Sequence, residues 1–419
     1  MARTGRSTPG VIRSLLVVLT ALALAWGALA AVTVAQHAAA ATQVVNTSEP
    51  LSLDAQQIYQ SLADADVTIS TGYLHGQQQP PADRVRYGND IATVAADLRI
   101  ATAASGPSSP IASSLATLDA ALPVYTGYVS EGQVYDSESL PAGGSFAEVA
   151  SEEMHLVLLP AARAVYDQEN SQLTAASATA TGLPLALVAI AAGLLAGLIG
   201  FRAQRWLSSR TRRRVNRGML VATVAGTAAL VWLAVALLVG RADLLQATQH
   251  GSGPAETLAQ ADIGALQARG DEALNLISHT GDAGFQGDIH TIQGMLNTQL
   301  ASASAASTPA DARLIADAGH AAKNWFAVNQ QLHVLDTAAS YGAETQLAIG
   351  TGPGSAATAF GRFQADLSTA IAADQAVFRS NATASSDAFG GLEIGVIVLA
   401  LVMAGGCVRG LSRRLAEYQ

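Results

Sequence analysis

Two pairs of residues in this chain have the spacing of metal ligands on a helix, Glu152-x-x-His155 and Asp317-x-x-His320. A carboxylate and an imidazole three positions apart share a helix face, and di-iron helical bundles use two such pairs plus glutamates from facing helices. Neither pair has that support here: His75, the candidate partner of the first, falls at a predicted turn, so both pairs read as surface residues. No Ser/His/Asp order stands in a supporting context, and neither a glycine-rich phosphate loop nor a paired-cysteine zinc spacing is found. Cys407 is the single cysteine, which excludes an intrachain disulfide. The expectation is a chain that is not an enzyme and holds no cofactor or metal.

What remains is recognition chemistry carried by arginine. Arg84, Arg86 and Tyr87 follow the breaker cluster Gln77–Pro81. Two guanidinium groups at the tip of a helical bundle suit a carboxylate ligand or an acidic partner, while a solvated helix start is the plainer reading. A second group, Arg202, Arg205, Arg210, Arg212, Arg213, Arg214 and Arg217, lies within residues 202–217, and Arg413 and Arg414 stand near the end of the sequence. Without interleaved aromatic residues these do not read as a nucleic-acid site. They suit anionic lipid and, as a further role, the docking of a cytoplasmic protein.

The elements that position these arginines are apolar runs. A run of about 20 apolar residues rising ~1.5 Å each crosses a hydrocarbon core of roughly 30 Å. Four are present: 14–35, 183–201, 218–240 and 391–408. The first is basic on its N-terminal side and reads as an uncleaved anchor, with Ala28-Leu29-Ala30 as the alternative cleavage site. Thirteen of the 23 cationic residues flank these runs beside one acid, Glu417, whereas the other ten share the long polar segments with 30 of the 32 acids, and Glu393 lies just inside the fourth run. That partition is the positive-inside pattern. It predicts a plasma-membrane protein with cytoplasmic termini (1–13 and 409–419), a cytoplasmic arginine loop (202–217), and two large extracytoplasmic segments, 36–182 and 241–390.

Both outer segments show apolar residues at helical spacing. In the first the stripes are Ile58/Leu62/Ala65/Ile69, Tyr87/Ile91/Val94/Leu98, Ile111/Leu115/Leu118/Leu122/Tyr125/Val129 and Phe146/Val149/Met154/Val157/Leu158/Ala161. Breakers at Gln77–Pro81, Gly106–Pro110 and Pro141–Gly144 separate them, and Pro160 should kink or divide the fourth helix. The second segment gives Leu258/Leu266/Leu274/Ile277, Ile289/Ile292/Leu296/Leu300, Leu314/Ala321/Trp325/Val328/Leu332/Leu335 and Phe360/Phe363/Leu367/Ile371/Phe378, with Trp325 and Phe326 read as core. Its breakers are Thr280–Gly284, Ser307–Pro309 and Gly350–Gly354. Counted from residues 36 and 241, the turns begin 41, 70 and 105 residues into the first segment and 39, 66 and 109 into the second. The predicted fold is an all-α membrane protein: four transmembrane helices and two duplicated extracytoplasmic antiparallel four-helix bundles. Gly193-x-x-x-Gly197 and Gly391-x-x-x-Gly395 are candidate span-packing faces.

Short cytoplasmic parts have no room for a catalytic output domain, so the plan predicts a sensor or transducer whose output is a separate protein. The span–bundle–span unit resembles the sensory modules of chemoreceptors and histidine kinases. A closer resemblance is carried by Tyr125-Thr-Gly-Tyr-Val, Leu140-Pro141-Ala142-Gly143-Gly144-Ser145-Phe146, Leu158-Leu159-Pro160-Ala161-Ala162 and Arg269-Gly270-Asp271-Glu272-Ala273-Leu274. These look like the outer domains of a family of actinobacterial four-span proteins encoded beside a glutamine-binding-type solute lipoprotein and a soluble Ser/Thr kinase, protein kinase G. The resemblance implies that acidic amino acids, bound by the lipoprotein outside, are reported through this protein to the kinase inside, and it supplies no binding residues. The alternative is a non-catalytic scaffold of the cell envelope.

Overall fold

The computed structural model describes residues 8–75, 80–106, 109–138, 140, 142–211, 217–278 and 283–416. Among them the chain is helical with no strand. In order the helices are α1 (Thr8–Gln43), α2 (Glu49–Leu74), α3 (Pro81–Ala104), α4 (Ala112–Ser137), α5 (Ala142–Glu153), α6 (Leu159–Ala180), α7 (Pro184–Thr211), α8 (Arg217–Ala247), α9 (Gly253–Ser278), α10 (Ala283–Ala306), α11 (Asp311–Thr337), α12 (Tyr341–Ile349), α13 (Ala356–Asp387) and α14 (Leu392–Ala416).

Proline sets much of this punctuation. Pro81 and Pro184 begin α3 and α7, where a missing N–H costs nothing, and Pro80 is held extended by the proline after it. Three π-helical turns, Val44–Ser48, Met154–Leu158 and Thr248–Ser252, join α1 to α2, α5 to α6 and α8 to α9. A proline follows two residues after each: Pro50, Pro160 and Pro254. The carbonyl four residues before each proline, at 46, 156 or 250, has lost its helical donor and would meet the ring. The wider π turn gives it room. The expected division at Pro160 is thus present as one π turn.

One end of the fourth stripe fails. Val149 is exposed, and Ala147 and Ala150 take the buried positions ahead of Met154 and Leu158, a face with steps of three and four residues, whereas the expected step from Val149 to Met154 is five. In the second segment the break near Gly350–Gly354 is found, but a further one at residues 338–340 isolates the short α12. There Ala339 has φ 50°, a left-handed conformation no Gly or Pro announced.

The helices form two compact units. One gathers α1, α7, α8 and α14, each containing a stretch long and apolar enough to cross a membrane. Its outward faces are apolar: Val17, Leu194, Leu238 and Ile394 are all at least 60% exposed, a surface suited to hydrocarbon and costly in water. By helix length and composition this is a membrane protein. The packing glycines are partly those expected. A Cβ on Gly193 would lie 2.6 Å from Trp26 Nε1, and one on Gly395 2.4 Å from the Trp232 ring, whereas Gly197 faces open space and Gly391 supplies φ +70° ahead of α14. The closest backbone approach is elsewhere, at Gly218 of α8, where a Cβ would stand 2.5 Å from Gly410 Cα.

The other unit comprises Asn46–Thr174 and Gln246–Arg379. Each predicted outer segment supplies its helices in the expected order, but the two do not keep separate interiors. One continuous core runs from Ile58, Leu62 and Tyr125 through Leu258 and Leu266 to Trp325, Phe363 and Leu367. The central pair is α2 and α9, which are buried nearly all round. Alanine and serine on their second faces allow this: small side chains let a third and fourth helix approach without forming the large apolar stripe that periodicity detects.

Candidate functional site

Because α2 is enclosed, its polar residues must find partners inside the unit, and several find them across the seam with α9. Gln60 Nε2 donates to Asp262 Oδ2 at 2.7 Å, and Gln267 Nε2 donates to the Tyr59 hydroxyl at 2.8 Å. Asp66, 2% exposed, accepts from Ser151 Oγ at 3.0 Å and pairs with His155 Nε2 at 3.1 Å. His155 is held above its ordinary pKa chiefly by that bond to Asp66, against the opposing effect of burial. Gly270 of α9 makes room beside this pair, since a Cβ there would come within 3.6 Å of His155 Nε2. At another place on α2, Glu49 accepts from Arg379 of α13.

The seam is incompletely satisfied. Asp262 Oδ1 is buried without a hydrogen-bond partner, and burial pushes this carboxyl up to about 7 although Gln60 opposes the shift. Asp90 of α3 and Asp374 of α13 each keep one unpartnered oxygen and are likewise raised to about 7 by burial, Asp90 with a further push from Asp64. The second half also holds a buried ion pair. Arg269 and Glu272, one turn apart on α9 and each 2% exposed, bond directly, and Arg269 Nη2 also donates to the Ala348 carbonyl at 3.3 Å. In the amide orientation that satisfies both neighbours, Asn329 Nδ2 donates to Glu272 Oε2 at 3.0 Å and Trp325 Nε1 donates to Asn329 Oδ1 at 2.9 Å. Trp325 and Phe326 are core residues, their rings 4.7 Å apart.

The residues singled out from sequence do not converge. Arg86 forms a fork with Asp64, Nε to Oδ2 at 2.6 Å and Nη2 to Oδ1 at 2.5 Å, and reaches Gln364 at 3.4 Å. Its guanidinium is therefore engaged within the unit. Arg84 is exposed, and Tyr87 is half-buried, its ring tilted against Tyr125 at 6.5 Å. Of the loop arginines, Arg202, Arg205 and Arg217 are exposed, as is Arg413. Arg212, Arg213 and Arg214, and the side chains of Arg210 and Arg414, lie outside the described residues. Glu152 faces solvent while His155 turns inward to Asp66, so that pair does not act together. Among the described residues no group of three His, Cys, Asp or Glu could hold a metal ion.

Asp317 and His320 have a different setting. They line a groove of about 420 Å³ between α11 and α13, together with Asn324, Arg362 and Asp366. The sequence reading missed the last three, because they belong to a pattern completed only when α13 lies beside α11. A signal was present in the spacing, since Arg163-x-x-x-Asp167 recurs as Arg362-x-x-x-Asp366, each member 199 residues on (163 to 362, 167 to 366).

Comparison with known proteins bears on α2 to α6. No curated protein and no solved structure matches the chain. Residues 40–178, a third of the sequence, match the family model of an actinobacterial sensor domain, which supports a place in an actinobacterial sensor family.

Proposed function

We propose that this chain is a transmembrane signal transducer with no catalytic activity of its own. Its helical unit stands outside the cell and reports amino-acid status, received through a solute-binding lipoprotein, to a separate cytoplasmic Ser/Thr kinase. The observation that carries the reading is the sensor-domain match over residues 40–178. The arrangement inside that unit supports it. The α2–α9 seam is built from alanine, single hydrogen bonds and the half-satisfied carboxyl of Asp262, so a shift of one helix along the other trades few strong contacts.

The two halves read as an internal duplication: α2 and α9 have 26 residues each, α3 and α10 have 24 each, and a π turn with the same proline precedes both α2 and α9. In this topology both termini and Arg202, Arg205, Arg210, Arg212, Arg213, Arg214, Arg217, Arg413 and Arg414 face the cytoplasm, against anionic lipid and the kinase. Cells carrying Gln60→Cys and Asp262→Cys in a Cys407→Ala background test the reading with a bifunctional thiol reagent. A cross-linking rate that changes with amino-acid supply supports a transducer. An unchanged rate, together with a membrane pull-down that recovers neither lipoprotein nor kinase, favours the envelope scaffold.

A further inference from the structure

The α11–α13 groove gathers charges that find no partner among the described residues. Four arginines of the unit are paired there, Arg86 with Asp64, Arg163 with Asp167, Arg269 with Glu272 and Arg379 with Glu49, while Arg84, Arg99 and Arg313 are not, and none of those three lines the groove. Arg163 and Asp167, four apart on α6, close on each other at 3.5 Å. Arg362 and Asp366 have the same spacing on α13 and make no such pair, and Asp317, His320 and Asn324 on α11 are likewise without a hydrogen-bonding partner among the described residues. Asp317, His320 and Asn324 stand at i, i+3 and i+7, one face of α11. Five polar side chains thus converge on one groove unspent.

Its floor is apolar and tightly made. Ala321, Val328 and Ala359 are core residues whose edges close the groove beneath, and the rings of Trp325, Phe360 and Phe363 pack behind them. The volume, about 420 Å³, lies in the range of small-molecule sites, ~300–1,000 Å³. The lining carries one guanidinium against two carboxylates. An anion alone would meet Asp317 and Asp366, and a cation alone would meet Arg362. A ligand with both charges satisfies each side, its carboxylate on the Arg362 fork and its ammonium between the aspartates, leaving His320 and Asn324 for whatever else it carries. We infer that the α11–α13 groove is a binding site for a small zwitterion of the α-amino-acid class.

The inference rests on the groove alone and requires neither the lipoprotein nor the kinase. Purified full-length protein in lipid nanodiscs is titrated calorimetrically with L-aspartate, L-glutamate, L-glutamine and glycine, and with succinate and putrescine as single-sign controls. The expected result is heat from at least one amino acid and none from either control. Arg362→Ala and Asp366→Asn should each weaken that binding about tenfold or more, whereas Arg163→Ala leaves it unchanged. Helical circular dichroism checks that the variants, altered at the groove surface, remain folded. The inference is overturned if no amino acid gives heat, if succinate or putrescine binds as well, or if folded Arg362→Ala binds like the wild type. Any of those results leaves a lipoprotein-fed transducer standing.

Discussion

Replacing Asp262 by asparagine should make the helical unit less sensitive to alkali. Asp262 sits on α9 with one carboxyl oxygen on Gln60 and the other unpartnered, and burial raises it from its ordinary 3.8 to about 7. Between those two values the folded state keeps the proton and the unfolded state has released it. Stability contributed by this group is therefore fully present below about pH 4 and falls as pH rises, by ~1.4 kcal/mol per pH unit, until the folded carboxyl ionises near 7. The full cost of ionising it in place is about 4 kcal/mol, and the part incurred between pH 5 and pH 8 is about 3 kcal/mol. Asparagine still accepts from Gln60 but leaves a buried N–H unpaired, a roughly constant penalty of ~1–3 kcal/mol at every pH. The variant should thus be slightly weaker than the wild type at pH 5 and equal or stronger at pH 8. Thermal unfolding of nanodisc-held protein, followed by near-ultraviolet circular dichroism at pH 5, 6, 7 and 8, reads this as a variant-minus-wild-type difference in Tm. That difference should climb by roughly 5–10 °C across the series. A difference that stays constant with pH would refute a buried, proton-holding Asp262.

Other substitutions separate structural from binding roles. Arg86→Ala breaks a half-exposed fork with Asp64 and should cost about 1 kcal/mol in urea unfolding, while Arg84→Ala, at an exposed position, should change nothing measurable. Arg269→Ala strands Glu272 in the core and should cost about 3–5 kcal/mol, most of it recovered in the Arg269→Met/Glu272→Leu double variant. Gly251→Ala places a methyl 2.6 Å from the backbone of Phe378, so α13 must retreat; a loss of roughly 2 kcal/mol or more is expected, and an unchanged Tm would argue against that close approach.

Large apolar side chains made much of this fold readable. Ile58, Leu62 and Ile69 on α2, and Phe360, Phe363 and Leu367 on α13, are buried as their spacing required. The spans were legible because a membrane demands long apolar runs, and the predicted turns at Gly106–Pro110, Ser307–Pro309 and Gly350–Gly354 coincide with breaks between helices because Gly and Pro cannot be ignored by a backbone; α5 already begins within Pro141–Gly144, and residues 77–79 and 280–282 of the other two predicted turns lie outside the described residues. What escaped was carried by small or context-dependent residues. The all-round burial of α2 and α9 rests on alanine and serine, which leave no stripe. The break at Ala339 rests on a φ that sequence does not display. The site was harder still. Arg86 looked available until the α2–α3 hairpin brought Asp64 beside it, and Arg362 looked ordinary until α11 supplied the facing groups. Pairing decides whether a charge is structural or free for a ligand, and pairing is tertiary.

Sidedness is the claim on which the transducer reading stands. In a Cys407→Ala background, single cysteines at Arg210 and at Arg313, an exposed position of α11, can be probed in intact cells with a membrane-impermeant maleimide. The account predicts rapid labelling at 313, and labelling at 210 only after the membrane is opened. Labelling at 210 in intact cells, or protection at 313 until lysis, would contradict it.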